Sequence, residues 1–68
     1  MSNIGMLIRA WRISQKCSEQ ALADRAGIAV SVLESLESEK ADPQASTLEA
    51  LAGALKIPLP WLLIHPTD

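Results

Sequence analysis

Residues 19–38, EQALADRAGIAVSVLESLES, decide the fold of this chain. Leu22, Ala23 and Ala26 recur at i, i+1 and i+4, the apolar edge of a short helix. Gly27 follows, the residue type that enters the left-handed backbone region at a helix end without a Cβ penalty. Beyond it, Leu33 and Leu36 resume helical spacing. Ala23 stands where a second helix must cross closely: a methyl fits there and a larger side chain would clash. A helix, a glycine turn and a second helix at this spacing make a helix-turn-helix unit.

The flanking sequence supplies helices to cover that unit. Ile4, Leu7, Ile8 and Trp11 follow the i, i+3, i+4, i+7 pattern of a first helix, with Ser2 or Asn3 as its cap. Arg9, Arg12 and Lys16 fall on its remaining surface, Lys16 near the C-terminal end where a cation suits the helix dipole. Cys17 reads as a small apolar plug at the corner. Ser18 is a favourable N-cap for the second helix, which runs to about Ala26. The third helix is predicted from about Ala29 to Ser38. Ala29 carries no capping group, and Ser31 with Glu34 offers a capping box in its place. Residues 39–45, EKADPQA, form a polar loop with an Asp-Pro turn signal. Ser46 and Glu49 form a second capping box, opening a fourth helix with Leu48, Leu51, Ala52 and Leu55 on its apolar side. Pro58 and Pro60 end that helix and preset a short fifth segment, Leu59 to Ile64. Residues 65–68 read as a tail. The pattern predicts one all-α domain over 1–68, with its core at about 4–64 and its motif at 19–38.

Composition agrees with a small aliphatic bundle. Of the 68 residues 49% are hydrophobic, yet Phe and Tyr are absent and Trp11 and Trp61 are the aromatics. The chain is near the lower size limit for an independent core. Cys17 is the single cysteine, which excludes an internal disulfide and a cysteine-based metal cluster. No secretory segment and no apolar run near eighteen residues is present, so a cytoplasmic protein without a membrane span is expected. His65 sits beside Pro66 with no second ligand spaced to join it, and no Gly-rich phosphate loop or nucleophile motif occurs. Neither an enzyme nor a metal, cofactor or small-molecule substrate is expected.

Charge is distributed unevenly. The formal net charge is −2. Residues 1–16 carry three cations and no acid, whereas residues 17–49 carry seven acids against Arg25 and Lys40. The motif, together with the loop and helix start that follow it, is therefore the acidic part of the chain.

Further residues then match a known pattern. Ile4-Gly5, Ile8 and Arg12 stand in the first helix, and Cys17-Ser18 with Leu22-Ala23 in the second. Gly27-Ile28, Ser31, Leu33, Leu36-Glu37, Lys40 and Pro43 continue it. Thr47-Leu48, Leu51-Ala52, Ala54-Leu55, Ile57 and Pro60-Trp61-Leu62-Leu63 complete it. Over about residues 4–64 the chain resembles the lambda-repressor and Cro-type (Xre-like) helix-turn-helix family. The resemblance implies a five-helix DNA-binding domain that dimerises and lays its third helix, about 29–38, in the major groove of double-stranded DNA. It implies that Arg12 and Glu37 pair across the first and third helices. Base-facing positions would be Ala29, Val30, Ser31, Glu34, Ser35 and Ser38; phosphate-facing positions would be Ser18, Gln20, Lys40, Gln44 and Ser46. Trp61, Leu62 and Ile64 would form an apolar dimer patch.

The sequence departs from the family where DNA would lie. Glu19 stands where a phosphate-binding Gln is usual, Glu39 where a Gly is usual, and Asp42 in a loop that commonly carries cations. None of the six base-facing residues is Arg, Lys, Asn or Gln, the side chains that make bidentate base contacts. Glu34 can still accept from a cytosine amino group and Val30 can meet a thymine methyl. The helix N-termini at Ser18 and Ser46 can offer N–H groups to phosphates. A positive face would have to come from Arg9, Lys16, Arg25 or Lys40. The sequence thus admits a second reading, a protein-interaction module built on the same scaffold.

Overall fold

The apolar spacing folds into four α-helices: α1 (Ile4–Ser14), α2 (Glu19–Ala26), α3 (Val30–Glu37) and α4 (Ala45–Leu55). A 3₁₀ turn, Leu59–Leu63, follows. This computed structural model describes residues 4–64, so the Ser2 or Asn3 cap and the His65 tail lie outside the described residues. Ile8, Leu22, Leu33, Leu51, Leu55 and Leu62 are fully buried, one or more from every element. Ala23 is buried too, at the crossing inside the motif. Trp11 closes the bundle from the C-terminal side. Its indole N–H donates to the carbonyls of Trp61, at 3.0 Å, and Ile64, at 2.8 Å, and its ring stacks on Trp61 at 6.3 Å between centroids.

Gly5 lets α1 cross the C-terminal end of α3 with backbone against backbone. A methyl group added there would overlap the Leu36 carbonyl oxygen and press on the Glu39 side chain. Only glycine permits so close an approach.

All four α-helices end in the same way. The residue after the last turn adopts a left-handed conformation: Lys16 at φ 55°, Gly27 at 73°, Glu39 at 60° and Lys56 at 60°. Its N–H and that of the next residue then bond back onto the last turn, as in Gly27 to Asp24 at 3.2 Å and Ile28 to Ala23 at 3.0 Å. The same pair recurs as Glu39 to Leu36 and Lys40 to Ser35, and as Lys56 to Gly53 and Ile57 to Ala52. This is the Schellman arrangement, which satisfies the orphan carbonyls of a helix end. Glycine occupies the left-handed position once in four.

Four sequence expectations are corrected. Lys16 lies beyond α1, in the left-handed position, rather than in its last turn. Val30 is already helical with Ala29 as N-cap, so Ser31 lies inside the first turn and caps nothing. Likewise α4 begins at Ala45 with Gln44 as N-cap, two residues ahead of the predicted Ser46 cap. In both cases tertiary packing of the apolar stripe sets the helix start, outweighing a cap of about 1 kcal/mol. The fifth segment is a 3₁₀ turn, because Pro58 and Pro60 remove donors and leave too few residues for an α-helix.

Candidate nucleic-acid interface

Helix α3 is anchored from inside and bare outside. Leu33 and Leu36 are buried in the core. Arg12 grips the far end: Nε donates to Glu37 Oε2 at 2.7 Å and Nη2 to Oε1 at 2.9 Å. Its Nη1 donates to the Cys17 carbonyl at 2.9 Å, so one guanidinium ties α1, the start of α2 and the end of α3. Both side chains are largely buried, and the hydrogen bond that Arg12 donates to Glu37 holds its guanidinium firmly in the charged form. A two-pronged, desolvated pair fixes orientation as well as distance.

The outward surface consists of Ala29, Ser31, Glu34 and Ser38, all exposed, with Ser35 half-buried. The Ser38 hydroxyl donates to the Ser35 carbonyl at 3.3 Å. Val30 is half-buried and packs on the core, so it is a poorer candidate for an outward contact than its position implies. Val32, absent from the predicted set, is 45% exposed instead. It stands four residues before Leu36, where helical spacing makes it resemble a core position. No sequence signal marks it as outward, because the roll of α3 is set by its partners.

Beside α3 runs an open groove of about 230 Å³ lined by Arg9, Arg12, Glu19, Glu34, Glu37 and Ser38. Glu19, at the start of α2, has its carboxyl held above the usual range. Partial removal from water is the main cause, the charge of Glu37 adds to it, and Arg12 opposes it. The arrangement leaves Arg9 as the groove's cation outside the Arg12–Glu37 pair.

The phosphate-facing positions fall at two helix starts and after α3. Ser18 caps α2, its hydroxyl accepting from the Ala21 N–H at 3.1 Å. Gln20 is exposed, its amide donating to Asp24 at 3.0 Å. Gln44 and Ser46 are exposed at the start of α4, and Lys40 is exposed beyond α3. Arg9, Lys16 and Arg25 are exposed as well.

At the C-terminal side one dimer candidate is corrected. Leu62 is 0% exposed and belongs to the core, whereas Trp61 is 52% and Ile64 56% exposed. Leu63, at 58%, takes the place of Leu62 on the surface, because the 3₁₀ turn rotates successive side chains by a third of a circle. Leu63 also lines a shallow cleft of about 370 Å³ with Ile4, Asp42, Pro43 and Leu48. No helix among the described residues is long and apolar enough to cross a membrane.

Residues 8–62 match a family model described as helix-turn-helix. The immunity repressor protein of Bacillus phage phi105 is 41% identical over 54 residues, covering 79% of this chain. The chain spans 38% of the length of that relative. Among solved structures, the N-terminal DNA binding domain of SinR from Bacillus subtilis superposes with a TM-score of 0.83 at 30% identity, covering 97% of both chains. The restriction-modification controller protein C.AhdI of Aeromonas hydrophila gives 0.86 at 25% identity, covering 88% of this chain and 91% of its own. The hypothetical transcription factor NHTF of Neisseria gives 0.86 at 23% identity, over 96% of this chain and 75% of its own, a likeness of fold.

Proposed function

Because this chain belongs to the helix-turn-helix family of lambda-repressor and Cro type, we propose that it is a transcriptional regulator that binds operator DNA as a homodimer. Helix α3 enters the major groove, with Ala29, Ser31, Glu34, Ser35 and Ser38 turned to the base edges. Ser18, Gln20, Lys40, Gln44 and Ser46 meet phosphates, and Trp61, Leu63 and Ile64 form the dimer contact. Such a regulator acts in the cytoplasm. One observation carries the reading: α3 is fixed on its inner side by Leu33, Leu36 and the Arg12–Glu37 pair, while Ala29, Ser31, Glu34 and Ser38 on its outer side are exposed. Burial of a helix on one face and rigid presentation of the other is what groove reading requires.

The acidic groove favours a second reading. Glu19 and Glu34 flank the outward face of α3, and each repels a phosphate about 5 Å away by about 1 kcal/mol even in water. A protein partner bearing cations fits that surface better than DNA does.

Fluorescence polarisation with a random-sequence duplex separates the two. Binding is expected at low salt, falling by decades toward physiological salt because the entropy gained by releasing counterions shrinks as the bulk salt rises. Glu19→Gln combined with Asp42→Lys removes two repulsions and adds one phosphate contact, so affinity should rise about tenfold. Absence of binding at tens of micromolar protein at low salt, where non-specific affinity ordinarily suffices, would overturn the first reading.

A further inference from the structure

The outward face of α3 has an unusual vocabulary. The exposed hydroxyls of Ser31 and Ser38 donate or accept and fit any base edge. Glu34 only accepts, so it can select an amino group on cytosine or adenine. Val32 is the one large apolar side chain of α3 that the fold leaves uncovered. Its counterpart Val30 is committed to the core. In the major groove the thymine C5-methyl is the apolar group that distinguishes a base pair.

From this we infer that Val32 is the specificity-determining residue of α3, its two methyl groups packing on the C5-methyl of a thymine. The inference rests on the major-groove reading proposed above. A β-branched side chain on a helix holds one dominant χ1 rotamer, so the methyl groups are in place before docking. The backbone beneath them is equally fixed, by Leu33 on one side and the Arg12–Glu37 pair on the other. Little ordering entropy is then lost on contact, and a small apolar overlap is worth most where nothing has to be immobilised.

The test is parallel selection of duplexes from a randomised pool by the wild-type chain, Val32→Ser and Val32→Ala. Each thymine of the wild-type duplex is then replaced singly by deoxyuridine, which deletes only the methyl. One thymine per half-site is expected whose replacement weakens wild-type binding about three- to five-fold, the scale of one buried methyl group. Both variants should bind the thymine and uracil duplexes alike, and their selected sequences should lose preference at that position. Because Val32 is exposed, unchanged melting temperatures will show the variants folded. Uracil duplexes that bind wild type as well as thymine duplexes would overturn the assignment, as would variants that keep the thymine preference. Binding of random duplex with no selected sequence defeats the assignment alone; absence of any duplex binding defeats the groove reading with it.

Discussion

Helices α2 and α3 are each eight residues long, and they are held in opposite ways. Helix α2 is finished locally: the Ser18 hydroxyl caps its start and Gly27 takes the left-handed position at its end. Helix α3 has neither. Ala29 makes no side-chain cap bond, and Glu39, a residue with a Cβ, sits at φ 60° beyond its end. What keeps α3 in place comes from elsewhere in the chain, through Leu33, Leu36, Gly5 and Arg12. A helix secured from behind has few sequence requirements on its front. That explains how the outward face of α3 departs so far from the family's usual chemistry while the scaffold stays intact.

The largest test of that contrast is the Arg12–Glu37 pair. Arg12→Met leaves a buried carboxylate without its partner and is expected to destabilise the domain by about 3 kcal/mol. The double variant Arg12→Met, Glu37→Leu should recover most of that loss, since removing both charges also removes their desolvation cost. Urea denaturation of both single variants and the double gives the coupling energy. A loss no greater than that of a helix cap would mean that α3 is not held from behind.

Exchanging the caps is the next largest. Ser18→Ala should cost about 1 kcal/mol, whereas Ala29→Ser, at a backbone already extended at φ −70° and ψ 143°, should gain about 0.5–1 kcal/mol. Thermal melts of the two variants would then move in opposite directions, and equal shifts would erase the distinction between the helices.

The effects at the helix ends are no larger than those of the caps. Glu39→Gly relieves a left-handed residue but enlarges the freedom of the unfolded chain and removes packing over Gly5. A net gain of about 0.5 kcal/mol is expected. Lys56→Gly, in the same conformation at the end of α4, should gain a similar amount. Gly27→Ala should do the reverse, costing about 1 kcal/mol. Chemical denaturation of the three variants orders them.

Much of this architecture is legible without coordinates. The apolar spacing of α1, α2 and α4 follows from Ile4 to Trp11, from Leu22 to Ala26 and from Leu48 to Leu55. Ser18 and Gly27 mark the bounds of α2 to the residue. Less of the interface is legible. Ser31 and Ser46 have the chemistry of caps but lie within helices, because burial of an apolar stripe outweighs a single side-chain hydrogen bond. Lys16, Glu39 and Lys56 take a conformation their side chains disfavour, since closing the helix end satisfies two orphan carbonyls. Leu62 and Leu63 are neighbours of identical chemistry, one in the core and one on the surface.

Local propensity and periodicity, which depend on near neighbours in the chain, determined the helices and the helix-turn-helix motif of this protein. The tertiary structure alone decided which side of each helix faces out. That choice gave Val32 rather than Val30 to the solvent, Leu63 rather than Leu62 to the C-terminal patch, and Glu19 to a groove beside Glu34 and Glu37. The roll of a helix is fixed by distant partners: the Leu36 carbonyl against Gly5, and Arg12 reaching twenty-five residues along the chain to Glu37. No pattern confined to one helix contains that information.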